Sequence, residues 1–147
     1  MEPKNVGGAA ETTSANTGWD AKKKILDRRA AYAQTHSSTR YAYARDVVAP
    51  ALAQAFGANR VWLFGSVARN DASCDSDIDL LVESGDEYMQ PKRRLFLASE
   101  IVQSLNAPFS IDVAVLTEGE FEQKIKTGSR FAYAILSDRR ILHERKF

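Results

Sequence analysis

The sequence is short of the groups that several common architectures require. One cysteine, Cys74, among 147 residues permits no internal disulfide and no thiolate zinc site, and it favours a reducing compartment. Only two histidines occur, His36 and His143, and neither has an acid–base context in its neighbourhood. No stretch approaches the roughly 18 apolar residues of a membrane span. The opening residues MEPKNVGGAAETTSANTG lack the apolar centre of a signal peptide, so the expectation is a cytoplasmic protein with no membrane partner. Neither sign of charge dominates: 20 Lys and Arg face 19 Asp and Glu, a net charge of +1. Bulk charge therefore calls for neither nucleic acid nor a membrane surface. What remains is a chain long enough for one hydrophobic core and too short for two comfortable ones.

Three segments follow from composition. Residues 1–18 carry Gly, Ala, Thr, Ser and Asn with almost no large apolar groups, and read as a disordered tail. Residues 19–42 read as a basic helical extension, with Asp20 as its N-cap and the cluster His36-Ser37-Ser38-Thr39 breaking it. Residues 43–147 form the remaining domain. Its first helix has a buried face at Ala44, Val47, Val48, Ala51, Leu52 and Ala55. Pro50 either kinks that helix or marks the first turn of a second one, and Gly57 stops it.

Arg60–Phe64 reads as a short buried strand, Asp77–Glu83 as a second with alternating faces, and Phe109–Leu116 as a third. Between the last two, Pro91–Leu105 is a helix with Leu95, Ala98, Ile101, Val102 and Leu105 on its apolar side. Thr117 with Glu120 makes a capping box for another helix, which Gly128 ends. Ser129–Leu136 continues as helix and Arg140–His143 as a final short strand. This order predicts an α+β domain: a small mixed β-sheet with helices packed on one face.

The chemistry concentrates in Gly65-Ser66 and, ten residues on, Asp77-Ile78-Asp79. In a strand, residues i and i+2 project to the same side with Cα atoms roughly 6.5–7 Å apart, so Asp77 and Asp79 face together while Ile78, Leu80 and Val82 supply the core. Asp112 sits in the third strand by the same alternation, and neighbouring strands would bring three acids to one patch. Taken singly, each Asp could be a solvent-facing acid on a half-exposed sheet. Two in one strand need a reason, because Asp is disfavoured there. Carboxylates without His or Cys select hard cations, Mg²⁺ or Mn²⁺. Two such ions about 3.5–4 Å apart can clamp the entering and leaving oxygens of a displacement at phosphorus. Gly65 permits a backbone path that a Cβ would block, so bare amides and the Ser66 hydroxyl can approach a triphosphate; a plain serine-capped turn is the alternative. The inventory fits transfer of a nucleotide onto an acceptor.

Together, Gly65-Ser66 and Asp77-x-Asp79 resemble the signature of the DNA polymerase β-like nucleotidyltransferase superfamily. The string LFGSVARNDASCDSDIDLLV, with the closing GSRFAYAILSDRRILHERK, is similar to the minimal nucleotidyltransferases, often antitoxins paired with a HEPN-domain partner. The resemblance covers about residues 43–145. It implies the polymerase β-like fold, two bound Mg²⁺ or Mn²⁺ ions and ATP as nucleotide donor. It implies that Gly65 and Ser66 hold the triphosphate and that Asp77, Asp79 and Asp112 are catalytic metal ligands, Asp112 also helping to deprotonate the acceptor hydroxyl. Arg69 matches an arginine that contacts phosphate or braces the loop; a surface ion pair with Asp71 or Asp75 is the alternative. Asn70 departs from the Gly common in relatives, yet Asn enters the left-handed region readily. The acceptor implied is a HEPN-family toxin, modified by AMP and so silenced. Two alternatives stay open: a non-catalytic antitoxin that occludes its partner, and transfer to RNA or a small hydroxylated molecule.

Two basic features lie outside the motif. Lys22-Lys23-Lys24 and Arg28-Arg29, followed by Arg40, Tyr41, Tyr43 and Arg45, could engage RNA, dock an acidic partner or form a solvated helix face over core tyrosines. Lys92-Arg93-Arg94 opens a helix, where positive charge opposes the macrodipole, leaving room for a phosphate or partner contact.

Overall fold

Strand alternation and helix periodicity combine into one mixed sheet covered by helices. A computed structural model describes residues 2–85 and 90–146, with side chains from Gly18 onward. The elements are α1 (Glu2–Tyr43), a π turn (Ala44–Val48), α2 (Ala49–Phe56), β1 (Arg60–Phe64), α3 (Gly65–Arg69), β2 (Ile78–Ser84), α4 (Pro91–Leu105), β3 (Ile111–Thr117), α5 (Glu118–Lys126), α6 (Arg130–Asp138) and β4 (Arg140–Glu144). The four strands lie in the order β3-β2-β1-β4. β1 runs antiparallel to both β2 and β4, and β2 runs parallel to β3. α4 supplies the crossover that a parallel pair needs.

The sheet and its helices make the expected α+β fold, but helices cover both faces rather than the one expected. Val61, Leu63, Ile78, Leu80 and Val82 are buried against Val48, Leu52, Phe56 and Ala98 on one side. On the other side Leu81 packs with Phe121 of α5 and with Ala132 and Ile135 of α6. The alternation in β2 is thus of two cores rather than of core and solvent. Even Glu83 is buried, its carboxylate accepting from Trp62 Nε1 at 2.9 Å and pairing with Arg60. Each buried Leu or Val side chain contributes about 1.5–3 kcal/mol.

Several local readings change. α1 is helical from Glu2, within the segment read as a tail and upstream of Asp20, which is therefore interior rather than an N-cap; extending a formed helix costs far less than nucleating one. The expected break at His36–Thr39 is absent. Thr35 and Thr39 donate their hydroxyls back to the carbonyls of Ala31 and Thr35, so these side chains supplement the helix instead of competing with it.

Pro50 falls in the first turn of α2, but the helical path continues into it from the π turn rather than starting afresh. The π turn before it, with Ala49 N–H bonding to Ala44 O, shifts the helical phase. Val47 is left exposed, and Ala49, Ala53 and Phe56 go inward. In α4 the inward stripe contains Arg94, Leu97, Ala98, Ile101 and Leu105, while Leu95 points out. The Thr117–Glu120 capping box is present in both its bonds, 2.8 and 3.1 Å. Gly57 caps α2 with φ 56°.

Candidate active site

The acids gather where β1 ends and β2 and β3 begin. Asp79 is in register with Phe64 on β1 and with Asp112 on β3. Parallel pairing places Asp79 and Asp112 side by side on one face of the sheet. Asp77 precedes β2 by one residue, so its direction is set by the loop from Asn70 rather than by the strand pleat. Asp77 and Asp112 are exposed and Asp79 is half-buried. Burial first, then the charges of Asp112 and Asp77, push the Asp79 carboxyl up to about 6, against an opposing pull from Arg69.

Gly65 follows Phe64 with φ 77°, and a Cβ there would collide with the Asp79 carboxylate. Glycine is required here both for backbone conformation and for space. Ser66, half-buried, opens the short α3 beside it. Asn70 closes that helix at φ 66°, its N–H bonding to Ser66 O and Val67 O, so the left-handed turn survives without glycine. Arg69 is tied by Nε to Asp71 at 3.2 Å and by Nη1 to Asp138, at the end of α6, at 2.8 Å. Asp138 was not visible as a partner in the sequence, since it lies 69 residues away.

The three acids suit a divalent cation in kind. All donors are carboxylate oxygens, and among the described residues none of the three makes an ion pair. A cation would offset the burial and the neighbouring carboxylate charges that together raise Asp79. Among the described residues no three His, Cys, Asp or Glu side chains form a ready-made metal cluster, so the acids share a corner rather than a closed cage. A groove of about 240 Å³ runs between α4 and β3, with Asp112, alone of the three acids, in its wall.

The basic features divide. Arg40, Tyr41 and Tyr43 are structural: Arg40 is buried, Tyr41 lies under Arg140 at 4.2 Å, and Tyr43 meets Phe109 edge-on at 5.8 Å. Arg45 pairs with Asp46. Lys22–Lys24, Arg28 and Arg29 are exposed. Arg94 is buried and grips Glu120 at 2.5 and 3.0 Å, locking α4 to the capping box of α5. Its place in the first turn of α4 is explained by that packing.

The domain is thus a mixed sheet with carboxylates on adjacent strand ends and a glycine turn packed against one of them. The chain belongs to the nucleotidyltransferase domain family, which it matches over residues 46–143. A similar solved structure is a Sulfolobus solfataricus protein proposed to be a nucleotidyltransferase, with TM-score 0.51 and 25% identity, covering 80% of this chain and 88% of that one. A toxin–antitoxin structure with AMP-PNP aligns at TM-score 0.45 and 18% identity over 65% of this chain and 69% of that one. No curated protein matches the chain. No helix among the described residues is long and apolar enough to cross a membrane.

Proposed function

We propose that the protein is a metal-dependent nucleotidyltransferase that moves AMP from ATP onto a hydroxyl of a protein acceptor, a HEPN-family toxin that is silenced by the modification. The observation that carries the reading is the register of Asp79 with Asp112, with Gly65 packed against Asp79 and Asp77 adjoining. Mg²⁺ or Mn²⁺ held by Asp77, Asp79 and Asp112 would neutralise triphosphate charge and polarise the reacting phosphorus.

The chain's own groups do the rest. Gly65 leaves the triphosphate room to approach backbone amides, and Ser66 adds a hydroxyl contact. Arg69, held by Asp71 and Asp138, braces the turn. The acceptor oxygen forms its bond to the α-phosphorus as the bond to the β-phosphate bridging oxygen breaks, releasing pyrophosphate. The hydroxyl proton passes to Asp112, whose exposure leaves it open to the acceptor.

A protein acceptor is supported by the similarity of LFGSVARNDASCDSDIDLLV to minimal nucleotidyltransferases and by exposed apolar groups suited to a partner: Leu95 and Phe96 on α4, Trp19 and Leu26 on α1. The same exposed groups suit a second reading, an antitoxin that only occludes its partner. Intact mass of a coexpressed helical partner separates them. A gain of one AMP residue that depends on Asp77 and Asp79 supports transfer; unmodified partner in a stable complex supports occlusion.

A further inference from the structure

The loop that ends in Asp77 is held by a helix that precedes the family match. Residues 70–77 leave α3 and enter β2 with little regular structure of their own. Three side chains from the last turns of α1 grip its backbone. Ala72 N–H donates to the buried Ser37 Oγ at 3.0 Å. Cys74 N–H donates to the Tyr32 hydroxyl at 3.1 Å. Arg40 donates from Nη2 to Cys74 O and from Nε to Ser76 O, both at 3.0 Å.

Arg40 is itself well fixed. It is buried, its guanidinium lies 4.6 Å from the centre of the Phe109 ring, and Nη1 donates to His36 O at 3.2 Å. A planar fork suits two carbonyls two residues apart; a lysine ammonium cannot match it. Ser76, whose carbonyl Arg40 holds, is the residue before Asp77.

We infer that Arg40, with Ser37 and Tyr32, is a positioning residue for the metal-binding carboxylate of Asp77: α1 sets the loop's path and hence the direction of one ligand. The inference rests on the reading of Asp77 as a cation ligand. Partners that orient metal ligands typically matter about 10–100-fold in metal affinity when removed.

The test uses the full chain and two observables. Amide hydrogen exchange reads the loop directly, without nucleotide or metal. Mn²⁺ binding, followed by the paramagnetic signal of free ion, reads the site. Arg40→Met should speed exchange across residues 72–77 and weaken Mn²⁺ binding about tenfold, with Arg40→Lys between it and wild type. Tyr32→Phe removes a single acceptor from a half-exposed side chain and keeps the inference testable should Arg40→Met fail to fold; faster exchange at Cys74 with Mn²⁺ binding weakened is expected. Unchanged exchange in the loop, or faster exchange with Mn²⁺ affinity unaltered, overturns the inference. Wild-type protein that binds no Mn²⁺ overturns instead the reading of Asp77 as a ligand, a failure distinct from an unheld loop.

Discussion

Gly65 and Asp79 occupy the same space to within one methyl group: a Cβ on Gly65 would run into the Asp79 carboxylate. That contact joins the turn expected to receive phosphate to the acid in register with Asp112. Gly65→Ala therefore strains a left-handed backbone and displaces a carboxylate at once. The backbone cost alone is about 1–2 kcal/mol. Urea denaturation should show at least that loss, and titration calorimetry should show ATP affinity falling well beyond what the stability change explains.

Asp79 opposes its surroundings in the metal-free protein, being half-buried beside Asp112 and Asp77. Asp79→Asn should leave metal-free stability unchanged or higher while abolishing transfer. Added Mg²⁺ should stabilise wild type by about 1.4 kcal/mol at ten times its dissociation constant and do nothing for Asp79→Asn. Thermal unfolding with and without the cation measures both.

Arg69 is read as a brace through Asp138, whose side chain is largely enclosed. Arg69→Ala and Asp138→Ala should then cost similar amounts, and a double-mutant cycle should give a coupling of about 1 kcal/mol. A phosphate-contacting Arg69 would behave differently: its removal would weaken ATP binding while Asp138→Ala would not.

Glu120 provides the pH dependence. The hydrogen bonds from Arg94, assisted by the Thr117 backbone, hold its carboxyl down to about 2 against an ordinary 4.5. A depressed pKa in the folded state stabilises at pH values above the unfolded pKa, and that contribution is lost as pH falls from about 4.5 toward 2. Glu120→Gln should cost about 1 kcal/mol at pH 7, discounted because the side chain is 40% exposed. Its denaturation profile should be flatter than wild type across that acid window.

The parts of the fold legible in the sequence are those set by short-range chemistry. Arg60–Phe64 declares itself by its apolar run, Thr117 and Glu120 by reciprocal capping, and Gly57 by ending a helix. What was not legible depends on distant partners. Strand alternation puts Leu81 on the same side as Asp79, and only the packing of α5 and α6 shows that it belongs to a second core. His36–Thr39 looked like a break because serine and threonine hydroxyls can either compete with a helix or bond back into it. Ser37 took a third course and bonds the loop at Ala72.

The candidate site divides the same way. Gly65-Ser66 and Asp77-x-Asp79 are close in sequence and carry their chemistry on their face. Arg40 is 36 residues from the Ser76 carbonyl it holds, and in the sequence it merges into a basic and aromatic stripe.

The most direct measurement is transfer of label from ATP labelled at the α- or the γ-phosphate, with Mg²⁺, into a coexpressed partner protein, alongside Asp77→Ala/Asp79→Ala. Label on the partner from α-labelled ATP only, sensitive to protease, resistant to nuclease and absent with the double variant, is the expected result. Label that persists with the double variant, or a folded wild-type protein that binds its partner and transfers nothing, would contradict the assignment of these acids to nucleotide transfer.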